Sequence, residues 1–154
     1  DYLYDFFSEL YGIPTDRRDT RKRMLFARFG IQEFAQVRVR DLSTGMKQKV
    51  SLVISLVQDP EIIIFDEPTN GLDILTAKVV TDFLLDLKEQ GKTIIISTHI
   101  FSLVEKICDR VGIIINGRMA ACEDLRTLCG DKSLEDRFFE IYEAVNGEDE
   151  NHDK

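Results

Sequence analysis

The fold is decided by residues 61 to 73, which read EIIIFDEPTNGLD. The continuous β-branched and aromatic run Ile62 to Phe65 is typical of a strand that is buried on both faces of a parallel sheet. Two acidic residues, Asp66 and Glu67, follow the run, and ligands in open α/β sheets bind beyond the carboxyl ends of the strands. The stretch predicts a strand that delivers two carboxylates to a site. An acidic strand end that simply opens a turn at Pro68 to Gly71 explains the same residues.

A helix and a second apolar run follow this strand. Leu75 to Gln90 has apolar residues at helical spacing and is followed by Gly91, a common helix terminator. Thr93 to Ser97 reads TIIIS and predicts a second buried strand, so that strand, helix and strand form a βαβ unit. His99 follows the second strand. Topology predicts that it lies at the same edge as the two acids, where a phosphate contact is a better hypothesis than for a lone histidine.

The residues before the first strand are predicted to be helical. Apolar residues recur at helical spacing up to Gly12, again from Asp16 to Gly30, and a third time from Ser43 to the stop at Asp59-Pro60. The third helix begins in the segment LSTGMKQ, where a serine hydroxyl, a glycine and unpaired N–H groups meet at a positive helix end. That combination suits an anion, although for this segment by itself a plain N-cap role of Ser43 is the commoner explanation.

The C-terminal part is predicted to contain one more strand, a hairpin and two helices. A short helix near residues 101 to 107 leads to a third strand, residues 111 to 115, in the same strand–helix alternation. Asn116-Gly117 predicts a hairpin with a type I′ turn. Helices are predicted over residues 123 to 129 and 133 to 145, with Ser133 as a cap, and residues 147 to 154 form a charged, disordered tail.

Composition and charge exclude several classes of function. The chain has 154 residues and a formal net charge of −8, which opposes an electrostatic affinity for nucleic acid or anionic lipid. No apolar run approaches the roughly 20 residues that span a bilayer, so any membrane association is expected to go through a protein partner. The three cysteines form no CxxC motif and predict reduced thiols rather than a disulfide scaffold or a zinc site.

Taken together and in order, three motifs resemble those of the ABC ATPase family. LSTGMKQ, residues 42 to 48, is similar to the family signature. IIIFDEPTNGLD, residues 62 to 73, is similar to the Walker B segment with its catalytic glutamate and D-loop, and STH, residues 97 to 99, to the switch-histidine segment. The resemblance covers nearly the whole chain. It implies an α/β, partial P-loop NTPase fold: a helical subdomain at 1–58, a parallel-sheet core at 59–146 that ends in a β-hairpin and helices, and a tail at 147–154.

The resemblance also implies roles for the two acids, the histidine and the D-loop aspartate. Asp66 would serve Mg²⁺, and Glu67 would be the general base that activates water. His99 would act with it as the catalytic switch at the γ-phosphate of ATP. Asp73 would couple two nucleotide sites across a dimer.

The signature residues would belong to the nucleotide site of a second subunit. Ser43 and Gly45 would contact the γ-phosphate of ATP held by a partner, and Thr44 lies between them in the same binding segment. Thr44 and Met46 depart from the commonest signature, LSGGQ. The spelling LSTGMKQ resembles exporters of the ABC-2 type, as does SLEDRFF at residues 133 to 139.

The phosphate-binding loop of the family, GxxxxGK[ST], does not occur in these 154 residues. Gly91-Lys92-Thr93 is the one partial match, and it fails because position 86 is Asp and the triplet precedes a strand. The chain is therefore expected to be a C-terminal fragment that does not hydrolyse ATP alone. The open edge left by the missing loop strand predicts partly uncovered isoleucines and an aggregation hazard.

The intact parent is expected to be an ATP-hydrolysing subunit that dimerises head to tail and drives a transmembrane permease, for export, at the cytoplasmic face of the membrane. A soluble ABC ATPase of translation or DNA repair is the alternative. Such proteins typically carry tandem ATPase halves or long coiled-coil insertions, which this sequence lacks, and the acidic charge disfavours nucleic acid. A non-catalytic interaction module is a third hypothesis.

Overall fold

The computed structural model describes the backbone of residues 1 to 152 and the side chains of residues 1 to 147. The chain forms two compact units, one from Asp1 to Ser97 and one from Thr98 onwards. The first unit combines the predicted helical subdomain with the two strands that follow it. The domain boundary predicted after residue 58 stays a prediction.

Helices fill the first part of the first unit. Three α-helices and two short 3₁₀ turns precede the first strand: α1 Tyr2–Leu10, α2 Thr15–Phe29, the turns Ile31–Phe34 and Val39–Asp41, and α3 Thr44–Ser55. Gly30 ends α2 with φ of 64°, a left-handed conformation that glycine adopts without strain. Tyr4 and Phe26 meet edge to face at 5.6 Å between ring centroids, so α1 and α2 share an aromatic core. The helical prediction for this region is confirmed.

A βαβ unit completes the first unit. β1 Ile62–Asp66 and β2 Thr93–Ser97 pair in parallel and are joined by α4 Ile74–Glu89. The register places Ile62 beside Thr93 and Asp66 beside Ser97. The helix packs on α2, where the rings of Phe29 and Phe83 lie 5.0 Å apart. The prediction of two parallel strands joined by a crossover helix is confirmed.

The two faces of β1 differ sharply in burial. Ile63 and Phe65 are 4% and 6% exposed, whereas Ile62 and Ile64 on the other face are 63% and 72% exposed. Burial on both faces was predicted for this strand and is wrong for the chain described here, since the second face remains open to solvent. The related expectation of partly uncovered isoleucines is confirmed. This open face is an apolar surface of the kind that promotes association.

Asp59 joins the helical part to the sheet. Its carboxylate accepts a 2.8 Å hydrogen bond from Arg21 Nη2, and Arg21 Nε donates to the carbonyl of Leu56 at 2.8 Å. Lys92 Nζ lies 3.3 Å from Asp59 Oδ1 and 2.8 Å from Glu61 Oε1. Asp59 also has φ of 55°, which aspartate and asparagine tolerate better than most residues. Partial burial opposes ionisation of Asp59, but the hydrogen bond and charge of Arg21, helped by Lys92, lower its pKa below 3.8.

Replacing this carboxylate by an amide tests the contribution of its charge to stability, because asparagine has the same size as aspartate and tolerates positive φ equally well. We expect Asp59→Asn to lower the free energy of unfolding by about 1 kcal/mol at neutral pH, the upper range for a half-exposed ion pair. A depressed folded-state pKa stabilises the protein above the unfolded pKa of 3.8, and this stabilisation disappears as the pH falls through the lower folded value. Urea unfolding at pH 7 and at a lower pH, where Asp59 is protonated in the folded protein, measures it. A difference from the wild type that persisted at the lower pH would contradict the ion-pair explanation.

The second unit is built on a hairpin. It contains five elements: α5 Phe101–Ile107, β3 Arg110–Ile115, β4 Arg118–Asp124, α6 Leu125–Cys129 and α7 Leu134–His152. Asn116 and Gly117 have φ of 51° and 74°, as a type I′ turn requires, so the predicted hairpin is confirmed. Its inward residues pack with the following helices around a cluster of buried side chains: Ile113, Ile115, Leu128 and Leu134.

Two predictions for this unit need correction. The alternation of strands and helices predicted that residues 111 to 115 continue the parallel βαβ series, but within the described residues β3 pairs only with β4, in antiparallel orientation. The tight turn returns the chain at once, and the hairpin therefore satisfies the backbone of β3 locally. The helix predicted from residue 123 begins instead at Leu125, because Glu123 and Asp124 extend β4 opposite Val111 and Arg110.

The last helix has the predicted cap and a later end. Asp136 N donates to Ser133 Oγ at 3.0 Å, and the carboxylate of Glu105 accepts from Leu134 N at 2.8 Å. α7 continues to His152, where a disordered tail was predicted from residue 147. Glutamates favour helix once a capped turn has formed, and this outweighs the cost of Gly147. Residues 153 and 154 lie outside the described part of the chain.

Candidate functional site

The carboxyl ends of the two parallel strands place an acid beside a hydroxyl. Asp66 is the last residue of β1, Ser97 is the last residue of β2, and the two are partners in the register. Ser97 Oγ donates a hydrogen bond to Asp66 Oδ1. Both residues are exposed, so the Asp66 carboxylate is accessible at this end of the sheet. The motif STH alone does not predict this contact. The signal that could have revealed it is Ser97 as the first polar residue after the isoleucine run.

Glu67 opens the loop that follows β1. Its backbone has φ of 46°, a left-handed conformation that costs a residue other than glycine of order 1 to 3 kcal/mol. Two backbone hydrogen bonds hold it there: its N–H donates to the carbonyl of Ser97 at 2.9 Å, and its carbonyl accepts from Asn70 N at 3.1 Å. The side chain is partly buried. The structure therefore fixes Glu67 directly after Asp66, at the end of the sheet where both acids were predicted.

The loop after Glu67 lies against the beginning of α3. Gln48 Nε2 donates to the carbonyl of Pro68 at 3.5 Å. Thr44 Cγ2 lies 3.9 Å from the point that a β-carbon on Gly71 would occupy, and Leu72 Cδ2 lies 3.7 Å from the equivalent point on Gly45. These contacts bring the segment LSTGMKQ next to the loop that carries Glu67 and Asp73. Two of the motifs that were singled out in the sequence are therefore neighbours in one compact unit.

The start of α3 presents an N-terminus with exposed polar side chains. Ser43 is the N-cap, and its Oγ accepts a hydrogen bond from Met46 N at 3.3 Å. Ser43 and Thr44 are exposed, and Gly45 is partly buried. A hydroxyl that accepts from a backbone amide keeps its own proton as a donor. The capping and anion-binding explanations of Ser43 are therefore compatible in this geometry.

We expect Ser43→Ala to lower the free energy of unfolding by about 1 kcal/mol, the usual effect of losing a serine cap. Chemical denaturation followed by circular dichroism measures the loss. Ser51→Ala, on the exposed side of the same helix, is the control and should change stability by less than about 0.5 kcal/mol. Equal effects of the two substitutions would show that the cap contributes nothing.

Asp73 caps the next helix with both of its oxygens. Oδ1 accepts from Thr76 N at 3.0 Å, and Oδ2 accepts from Thr76 Oγ1 at 2.7 Å. The hydrogen bond from the Thr76 side chain, followed by that from its backbone, lowers the pKa of Asp73. The coupling role predicted for this aspartate stays a prediction, and the cap was not predicted. An aspartate three residues before a threonine, at the start of an apolar helical run, is the signal that could have revealed it.

His99 belongs to the second unit, where it is exposed and precedes α5. Ile100 N donates to Thr98 Oγ1 at 3.2 Å, which shapes the turn on either side of the histidine. The first unit therefore holds six of the predicted site residues: Ser43, Thr44, Gly45, Asp66, Glu67 and Asp73. The placement of His99 at the same edge as the two acids stays a prediction.

The donor set around Asp66 fits one type of metal. Among the residues that the structure describes, no cluster of three or more histidines, cysteines or acids could hold an ion. Mg²⁺ is commonly bound through one or two carboxylates, with waters and substrate phosphates as the remaining ligands. One exposed carboxylate at the end of a strand therefore suits Mg²⁺ that arrives with a nucleotide, and it does not suit zinc or a resident calcium site.

Comparison with known proteins decides the family. A model of the family described as "ABC transporter" matches residues 5–70, a range that contains both the α3 segment and β1 with its acids. The ABC transporter ATP-binding protein NatA of Bacillus subtilis is 38% identical over 131 residues, which are 85% of this chain and 53% of that protein. The chain belongs to the ABC ATPase family.

Further relatives are consistent with this assignment. A fluoroquinolones export ATP-binding protein of Mycobacterium tuberculosis is 36% identical over 118 residues. The aligned region covers 77% of this chain and 38% of that protein. The solved ATP-binding subunit of an ABC transporter superposes with a TM-score of 0.85 at 28% identity, over 92% of this chain and 61% of that one. A dimeric ATP-binding cassette in a post-hydrolysis state with ADP and phosphate gives a TM-score of 0.65 at 26% identity, over 74% and 50%. This ABC ATPase chain spans about half the length of the curated relatives it matches.

Proposed function

We propose that this chain is the signature and Walker B part of an ATP-binding subunit that hydrolyses ATP to drive membrane transport. The observation that carries the proposal is the arrangement at the sheet edge, where Asp66 and Glu67 follow one another at the end of β1 and lie beside the loop that contacts the signature helix. Hydrolysis requires one group that positions a nucleotide-bound metal and one that activates water. Two acids on a fixed backbone can supply both.

Each acid has its own part in this reaction. Asp66, with one carboxylate oxygen held by Ser97, would hold Mg²⁺ through its other oxygen, directly or through water. When bound, Mg²⁺ supplies neutralisation of the phosphate charge. Glu67 would orient a water molecule and accept its proton as that water attacks the γ-phosphorus of ATP in line with the leaving ADP. His99 would contact the γ-phosphate.

The signature segment would complete the nucleotide site of a second subunit. The exposed hydroxyls of Ser43 and Thr44 and the first-turn N–H groups of α3 form a positive end that suits a phosphate. One structural relative is a dimer with ADP and phosphate, which supports a dimer for the complete subunit, and we propose that its two subunits meet head to tail. Asp73, at the start of α4, lies in the D-loop of this assembly, where it would couple the two sites.

The partner in the membrane would be a separate permease, and the direction of transport would be export. No helix in the described residues combines the length and the apolar character that crossing a bilayer needs. One relative is named for fluoroquinolones export, and the signature spelling favours the same branch. Because the relatives are ATP-binding proteins of ABC transporters, the location that we propose for the complete subunit is the cytoplasmic face of the membrane, where a permease would hold it.

Phosphate release by the complete subunit tests this proposal. We expect ATP hydrolysis that requires Mg²⁺, stops on chelation with EDTA and falls by at least about 100-fold in Asp66→Asn. The 154-residue chain alone is expected to release no phosphate. Metal-independent hydrolysis, or wild-type hydrolysis by Asp66→Asn, would contradict the assignment of Asp66.

A further inference from the structure

We propose that Ser97 is a positioning residue that fixes both acids of the hydrolytic site from the neighbouring strand. The inference rests on the proposed function, since it gives Ser97 a purpose only if Asp66 serves the metal and Glu67 the water. It assigns this serine a role of its own, separate from that of His99 two residues later.

Ser97 holds the two acids by two different groups. Its side-chain hydroxyl donates to Asp66 Oδ1, and its main-chain carbonyl accepts from the N–H of Glu67 at 2.9 Å. The first contact restricts the rotation of the Asp66 carboxylate, because one of its oxygens accepts this hydrogen bond while the residue stays exposed. The second continues the β1–β2 ladder by one residue and holds Glu67 in its left-handed conformation.

The rest of β2 cannot supply the first contact. Ser97 follows three consecutive isoleucines in TIIIS, and it alone of the five stands in register with Asp66. An apolar residue there would extend the strand equally well and would keep the carbonyl contact with Glu67. It would leave the Asp66 carboxylate free to rotate, and a freely rotating ligand must lose that freedom when the metal binds. The hydroxyl of Ser97 therefore contributes the contact with Asp66, which an apolar strand residue at this position would not make.

The test compares three variants of the complete subunit. Ser97→Ala removes only the hydroxyl, whereas Ser97→Thr keeps a hydroxyl on a β-branched residue that suits a strand. Thr93→Val is the matched control because it removes a hydroxyl from the other end of β2. The readouts are the Mg²⁺ concentration for half-maximal ATP hydrolysis and the affinity for Mn²⁺, measured by electron paramagnetic resonance with a non-hydrolysable ATP analogue present. Thermal unfolding without nucleotide monitors the fold.

We expect Ser97→Ala to raise the Mg²⁺ requirement and the Mn²⁺ dissociation constant by roughly tenfold each, as the loss of one charge-assisted hydrogen bond would. The KM for ATP at saturating Mg²⁺ and the unfolding temperature should stay near wild type. Ser97→Thr should recover most of the loss, and Thr93→Val should show none. In an Asp66→Asn background, Ser97→Ala should have no additional effect, because the two residues act through one contact.

Two results would overturn the proposal. The first is wild-type metal dependence in Ser97→Ala while Asp66→Asn is impaired, which would reject Ser97 and leave the function of Asp66 intact. The second is a loss that Ser97→Thr does not rescue and that follows a lower unfolding temperature, which would make the serine merely structural. If Asp66→Asn itself keeps wild-type metal dependence, the proposed function of that acid fails, and the inference about Ser97 is overturned with it.

Discussion

Glu67→Gln in the complete subunit is expected to lower the rate of ATP hydrolysis by about 10²- to 10⁴-fold, the range that general-base catalysis contributes. The amide keeps the size of the side chain but accepts no proton from water at neutral pH. The backbone hydrogen bonds of Glu67 to Ser97 and Asn70 do not involve the carboxylate, so they should survive and hold the loop in place. Steady-state phosphate release measures the loss.

Binding of ATP should persist in the same variant. Filter binding or calorimetry with Mg-ATP is expected to give a dissociation constant within a few-fold of wild type, because the side chain acts on water rather than on the nucleotide. Glu89→Gln, at the exposed end of α4, is the control and should leave both quantities unchanged. If Glu67→Gln turned over ATP at the wild-type rate, Glu67 could not be the base. If it lost both binding and turnover, it would be needed for the nucleotide site rather than for proton transfer.

Leu84→Ala is expected to produce the largest loss of stability, about 3 kcal/mol in the free energy of unfolding. Leu84 is 1% exposed and lies on the buried side of α4 with Val80 and Leu87. Removing its three outer carbon atoms leaves a cavity in the packing of α4, which contacts both α2 and β2, and a close-packed interior fills such a cavity only in part. Denaturant unfolding of the complete subunit gives the value.

A second leucine of the same helix provides the control. Leu75 is 77% exposed, so Leu75→Ala makes the same chemical change without a cavity and should alter stability by less than about 0.5 kcal/mol. A similar loss in both variants would mean that the change in helix propensity, not packing, determines the effect. A loss below about 1 kcal/mol in Leu84→Ala would show that α4 is not a central element of the first unit.

The local elements could be predicted because each has its own signal. Periodic apolar residues located the helices, the isoleucine runs located β1 and β2, and Asn116-Gly117 located the hairpin with its turn type. The order of motifs gave the family, which the comparisons confirm. The helices, strands and turn depend on residues that are close together in the sequence. Such local patterns can be read from the sequence without knowledge of the fold.

The misses concern relations between distant residues. An isoleucine run does not tell how many of its faces are covered, and one face of β1 is open. A strand after a helix does not tell which partner it pairs with, and β3 pairs with the strand that a two-residue turn returns to it. The hydroxyl of Ser97 could be connected to Asp66 only once the register was known, because 31 residues separate them in the chain.

The open isoleucine face has a consequence for how the two strands find their alignment. Each strand carries three successive isoleucines, so sliding one past the other exchanges like for like at those positions. The alignment is therefore set by the buried ring of Phe65, which a slip of one residue would turn to the open face, and by polar pairs at the two ends: Lys92 with Glu61 where the strands begin, and Ser97 with Asp66 where they finish. Weakening both pairs at once should therefore populate shifted pairings, in which the acids no longer end at the same level as the serine.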